Sequence, residues 1–252
     1  MWKFIKWDLG MVFLLGCCCM SFAVAEAFDK AATTKKIQSI LNKGSKTKKY
    51  DKEFSEILAL GPDVVPSLIE IFHNPEIDWN ERWIVGMVLG RYQTNDSRKA
   101  LEKGLKDSFP TIRMASAKAL GSMGNLSSAP ILRRALSDKA MIVRSAVALA
   151  IGQLKDRGAI DSLSKELFAK RNFNRGKSFW VREDIIDALG NIGDAQALPI
   201  LKKTLNEKET NIQLKTCLAL SKIDREAGRK IKRATGSKCA ERWNAYYKKL
   251  AT

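Results

Sequence analysis

Residues Ile112 to Gly121 read IRMASAKALG, and the pattern returns at Val143 to Gly152 as VRSAVALAIG and at Val181 to Gly190 as VREDIIDALG. Each copy opens on an aliphatic residue followed by arginine and closes on leucine or isoleucine followed by glycine. Extended along the chain, the last position falls at Gly90, Gly121, Gly152, Gly190 and Ser221, with spacings of 31, 31, 38 and 31 residues. Arg82, Arg113, Arg144, Arg182 and Gln213 keep the same intervals, so five units share one register. A second track agrees: Leu68/Phe72, Leu101/Leu105, Leu132/Leu136, Leu163/Leu167 and Leu201/Leu205 are i, i+4 pairs, one face of a helix.

Each unit therefore predicts a first helix carrying the leucine pair, a turn near Asp107, Asp138 or Glu207, and a second helix running from the arginine to the glycine, with glycine as the helix stop. Pro110 suits the first turn of a helix, and Ala117, Ala119, Ala148 and Ala150 leave room for close helix approach. No alternating strand pattern competes. A pair of about 31 residues cannot bury its own apolar face, so successive pairs must stack into one continuous core. The expected organisation is an N-terminal helical cap over 26–60, repeats over 61–224 (61–93, 94–124, 125–155, 156–193 and 194–224) and a C-terminal helical cap over 225–252.

Through NLSSAPILRRALSD (Asn125 to Asp138) and DAQALPILKKTLNE (Asp194 to Glu207) the chain resembles the HEAT repeat family, particularly the short bacterial HEAT-like units related to those of phycobilin lyases. The resemblance covers Gly61 to Asp224 and implies an all-α fold, a right-handed α-solenoid of about five helix pairs. It also implies an internal ladder in which the second-helix arginine pairs with an acidic turn residue, making Arg113 with Asp107 and Arg144 with Asp138 structural. The last unit departs from it with Gln213 beside Glu207. For function the family is permissive, since such repeats serve scaffolds, lyase subunits, inhibitors and some nucleic-acid enzymes.

Forty-four Lys and Arg against 27 Asp and Glu leave a formal charge of +17, and 45% of residues are hydrophobic, enough for a packed core. The field favours anionic partners. Residues 1–25 read as a secretory signal peptide: Lys3 and Lys6, an apolar run, and small residues at Ala23-Val24-Ala25 that place cleavage before Glu26. A rival lies in Leu14-Leu15-Gly16-Cys17, which resembles a lipobox and would make Cys17 a lipidated, membrane-anchored N-terminus; an uncleaved anchor is a third reading. The mature chain keeps Cys217 and Cys239, which either bridge in an oxidising compartment or, for Cys217, fill a small buried slot where other units carry Ala117 and Ala148.

Catalytic and metal chemistry find little support. His73 is the single histidine, and no Cys-x-x-Cys spacing, phosphate loop or nucleophile motif is present, so neither metal nor cofactor is expected. Glu183, Asp184 and Asp187 form an acidic cluster that an acid–base reaction could use, or that a solvated helix face explains. The 38-residue spacing places seven extra residues within AKRNFNRGKSFWV, Ala169 to Val181. This insertion joins Lys170, Arg171, Arg175 and Lys177 to Phe173, Phe179 and Trp180, a mixture suited to an acidic peptide, polyanion or glycan, against a plain solvated loop. On the second helices Trp83, Met114, Ser145, Glu183 and Leu214 hold one register and Met87, Lys118, Leu149, Asp187 and Leu218 the next turn, a candidate groove around Trp83, Met87 and Leu149.

The expectation is an exported, non-enzymatic scaffold, periplasmic or secreted, for an acidic protein. One alternative is a lyase-like enzyme using Glu183, Asp187 and Trp180. The other is a module for an envelope polyanion or lipid headgroup, nucleic acid being disfavoured by the leader.

Overall fold

A computed structural model describes residues 30–43, 51–231 and 237–250. The leader, Cys17 and most of the GSKTKKYDK segment lie outside the described residues. Five antiparallel helix pairs follow one another: α3 (Val65–His73) with α4 (Trp79–Tyr92), α5 (Asn95–Gly104) with α6 (Pro110–Met123), α7 (Ala129–Ala135) with α8 (Met141–Leu154), α9 (Ile160–Leu167) with α10 (Val181–Ile192), and α11 (Leu198–Leu205) with α12 (Thr210–Ile223). The chain is an all-α solenoid. Second helices of successive pairs pack closely on one another, whereas first helices meet their neighbours far less, so the second helices form the inner layer of a curved stack. Every leucine of the i, i+4 track is buried between the layers.

The repeated glycine works differently from the expected helix stop. Gly90, Gly121, Gly152 and Gly190 all lie inside their helices, which end three residues later at residues in the left-handed conformation: Gln93, Gly124, Lys155 and Gly193. The reason lies in the next repeat. A Cβ on Gly152 would come within 2.8 Å of Ala188 Cα, and one on Gly190 within 2.7 Å of Ala219 Cα. Gly90 and Gly121 meet Ala119 and Ala150 in the same way. The small residues form a Gly–Ala contact line that lets second helices cross backbone to backbone.

Both ends are covered. Helix α1 (residues 30–43) buries Ile37, Ile40 and Leu41, and α2 (Asp51–Leu58) buries Ile57, while Tyr92 donates its hydroxyl to the Ile57 and Leu58 carbonyls at 3.0 Å each. At the other end, α13 (Arg225–Ile231) and α14 (Ser237–Leu250) pack on α12. Trp243 is fully buried, and its ring lies within 6 Å of both Tyr246 and Tyr247 (centroids 5.9 and 5.6 Å). Cys217 of α12 is bonded to Cys239 of α14, with Cα atoms 6.5 Å apart; Cys217 is both a buried slot residue and a bridge. This cap leaves Leu214 and Leu218 of α12 42% and 50% exposed.

Candidate interaction site at the inserted hairpin

The site stands on a ladder of buried arginines. Each second-helix arginine reaches forward to the turn of the next repeat: Arg82 to Asp107, Arg113 to Asp138, and Arg182 to Glu207. With its remaining donor it also reaches back to its own turn, where the partner is the main chain. Arg113 Nη1 donates to the Asp107 and Ser108 carbonyls at 2.8 and 3.1 Å, and Arg144 Nη1 to the Asp138 and Lys139 carbonyls at 2.9 and 3.1 Å. The expected side-chain pairs Arg113–Asp107 and Arg144–Asp138 are thus replaced by a ladder staggered by one repeat. Geometry requires this, because the guanidinium at the start of an inner helix lies between two turns and its five donors can serve both.

The insertion interrupts and rebuilds that ladder. The position 25 residues after Arg144 is Ala169, which has no carboxylate. Buried Asn172 takes its place: its Oδ1 accepts from Arg144 Nη2 at 2.7 Å, while its Nδ2 donates to Glu166 O at 2.6 Å and Oε1 at 2.8 Å. Glu166 Oε1 lies 3.0 Å from Arg144 Nε, and Arg171 closes on the other carboxylate oxygen. Arg171, expected as a binding cation, is therefore spent inside the framework, although its side chain is partly exposed.

From this base rises a two-stranded antiparallel hairpin, β1 (Phe173–Asn174) and β2 (Lys177–Ser178), a small departure from the expected absence of strands. Arg175 and Gly176 turn it with φ of +48° and +79°, the two positive angles that a tight hairpin turn of this twist demands. The returning strand is tied to the fifth repeat: Ser178 donates its amide (3.1 Å) and hydroxyl (2.6 Å) to Glu209. Phe173 packs its ring 4.3 Å from the Arg182 guanidinium, and Phe179 packs against the core. These two aromatics are framework. Lys170, Arg175, Lys177 and Trp180, the last 45% exposed, remain turned to solvent.

The acidic cluster is engaged on both sides. Asp187 pairs with Lys215 at 2.5 Å, Glu183 accepts from Asn211 at 2.6 Å, and Asp184 accepts from Ser145 at 2.6 Å. Burial raises the Asp184 pKa against the Ser145 hydrogen bond. Trp83, Met87, Met114 and Leu149 are half-buried along the inner helices. His73 sits beside Phe72, and burial, then Lys103 and Arg82, lower its pKa. Sequence reasoning missed Asn172 and Glu209; the signal available was the missing acid at position 169.

Residues 65–140 match the family described as HEAT repeats, and residues 181–207 match the PBS lyase HEAT-like repeat. The chain is 30% identical over 165 residues to phycocyanobilin lyase subunit alpha of Picosynechococcus sp., covering 60% of this chain and 61% of that protein. It is 29% identical over 181 residues to the same subunit of Nostoc sp., covering 66% and 65%. It therefore spans just under two thirds of the curated relatives it matches. Among solved structures it is similar to the complex of CpcE and CpcF of phycocyanin lyase from Nostoc sp., with a TM-score of 0.57 and 25% identity over 67% of this chain and 69% of that one. An engineered protein shares the fold at a TM-score of 0.50 and 16% identity, over 79% and 92%. The stacked pairs and their arginine ladder define an α-solenoid repeat protein. Its units are HEAT-like repeats related to those of phycobilin lyases.

Proposed function

We propose that this chain is an exported, non-catalytic HEAT-repeat scaffold that binds another protein of acidic character through the hairpin of its fourth repeat. One observation carries the reading: the hairpin is bolted down at both ends, by Asn172 and by Ser178, yet its tip and Trp180 face solvent. A pre-ordered tip loses little entropy on binding, its cations speed encounter with an acidic surface, and Trp180 offers an apolar anchor. Export draws support from the Cys217–Cys239 bond, which suits an oxidising compartment. Among the described residues no helix is long and apolar enough to cross a membrane.

The experiment is quantitative cross-linking in the native host with full-length protein carrying its own leader, followed by intact mass. A mature chain beginning at Glu26 supports secretion, one beginning at acylated Cys17 the lipoprotein form, and an uncut cytoplasmic chain removes the export reading. An Arg175→Glu/Lys177→Glu/Trp180→Ala variant should lose the cross-linked partner; undiminished capture removes the hairpin.

A second reading follows from the relatives' names: a lyase-type subunit that holds an open-chain tetrapyrrole against Trp83, Met87, Met114 and Leu149, with Glu183 and Asp187 at the end of the groove. Mixing the protein with phycocyanobilin and recording its visible spectrum separates the two, since a scaffold leaves the spectrum unchanged.

A further inference from the structure

The ladder settles which charges at the turn edge are used and which are left over. Among the acids of the turns and of the ends of the first helices, Asp107, Asp138, Glu166 and Glu207 are taken by buried arginines, Glu102 by Arg98, and Glu209 by the Ser178 amide and hydroxyl. The cations of the same edge have no such partner. Lys103, Arg134, Lys165 and Lys203 occupy one register in the last turns of α5, α7, α9 and α11; all are exposed, and none forms an ion pair among the described residues. A helix C-terminus favours a cation, which accounts for one such residue at a time. It does not account for Lys139, Lys177 and Lys208, a second register beyond the helix ends, also exposed and also outside any ion pair among the described residues. Apolar side chains stand between these cations: Phe109, Ile142 and Trp180 are 42%, 36% and 45% exposed, Ile142 and Trp180 in one register and Phe109 two residues earlier. Because the ladder bonds join one turn to the next, the first row runs across repeats two to five, the second across three to five and the apolar side chains across two to four. They stop at the first, where Glu70 stands at the position of Lys103, Ile77 at that of Lys139 and Asp78 at that of Phe109.

We propose that the turn edge of repeats two to five is a docking ridge for an extended acidic segment of a protein, with acidic and apolar side chains recurring about every third residue. The proposal rests on the acidic-partner reading and extends it from one hairpin to a linear track. Helices stacked at about 10 Å set the spacing of the cations. An extended chain advances about 3.3 Å per residue, so one triplet spans one repeat. The interleaved apolar side chains select a polypeptide over a polymer of phosphates or sulfates, which has nothing to lay against Phe109 and Ile142.

The test uses the full chain and fluorescent twelve-residue peptides: four Glu-Glu-Leu triplets, the same composition with the leucines grouped at one end, and heparin as a competitor without apolar groups. The triplet peptide should bind about tenfold tighter than the grouped one. Lys103→Glu/Arg134→Glu/Lys203→Glu should abolish most binding and flatten its salt dependence. Phe109→Ser/Ile142→Ser, which leaves every charge in place, should weaken the triplet peptide and leave heparin unaffected. Circular dichroism melts identify variants that fail to fold, and single-site variants then replace them. Equal binding of triplet, grouped peptide and heparin overturns the ridge in favour of a general polyanion surface. Binding unchanged by both sets of substitutions also overturns it. An Arg175→Glu variant, which changes the hairpin tip but no residue of the rows, that loses the native partner while the triplet peptide still binds leaves the ridge standing; loss of triplet binding in the row variants with the native partner retained leaves only the hairpin.

Discussion

Arg113 and Asp138 belong to successive repeats, yet they form a two-pronged pair, Nε to Oδ2 at 2.7 Å and Nη2 to Oδ1 at 2.9 Å, with both side chains largely out of water. The same arginine holds its own turn only by main-chain carbonyls. A repeat protein usually derives its cohesion from nearest-neighbour interfaces. Here a polar bond crosses each of those interfaces, so the ladder couples every unit to the one after it.

Removing one member should therefore cost more than removing both. Arg113→Met strands Asp138 and should lower unfolding stability by about 3 kcal/mol, while the Arg113→Met/Asp138→Leu double substitution should lose clearly less than the sum of Arg113→Met and Asp138→Leu. Urea unfolding of the four proteins in the cycle measures the coupling.

Gly152→Ala tests the contact line. Alanine raises helix propensity by about 1 kcal/mol, but the new methyl group would lie 2.8 Å from the Ala188 backbone. The expected net result is destabilisation of about 1–3 kcal/mol, in the range of core overpacking. If glycine were there only as a helix stop, the thermal melt would instead rise or stay put.

Two acids should respond oppositely to pH. Burial would raise the Asp138 pKa, but hydrogen bonds from Arg113 and the Ala140 amide, with the charges of Arg113 and Arg144, together leave it lowered. Its stabilisation is present above the unfolded carboxylate pKa and is lost as pH falls through the lower folded value. Asp184 is raised, chiefly by burial, so it favours the folded state at low pH and opposes it once pH passes its folded value. Asp184→Asn should thus raise the melting temperature at pH 7 and change little at pH 3, whereas Asp138→Asn should lower it at pH 7 and matter less in acid.

The Cys217–Cys239 bond closes a segment of 22 residues. Cys217→Ser/Cys239→Ser should cost about 3 kcal/mol by releasing that loop in the unfolded chain. Limited proteolysis should then cut α14 first. A melt identical with and without reductant would show that packing around Trp243 and the cap's hydrogen bonds hold it without the bridge.

Asn172→Leu removes the hub of the hairpin base. It removes the side-chain acceptor of buried Arg144 Nη2 and the amide donor to the Glu166 carboxylate, and the expected loss is about 2–4 kcal/mol. Hydrogen exchange should show the tip loosening before the helices do.

The one-dimensional pattern was enough to establish the repeat, its register, the buried leucine track and the place of the insertion, because helical period and stacking are local properties that every copy restates. What the repeated glycine and arginine do was decided only in three dimensions. Gly152 looks like a stop in sequence because it follows an apolar run; it is a contact because Ala188, 36 residues away, crosses it. Arg113 looks paired with the nearest acid, Asp107, but the stack brings Asp138 alongside and hands Asp107 to Arg82. The insertion was legible as seven residues, and its division of labour was not: Arg171 and Phe173 turn inward to the ladder while Arg175, Lys177 and Trp180 stay outside. Composition sets how many charges a chain carries, but burial between neighbouring repeats decides which are consumed inside and which are left to meet a partner.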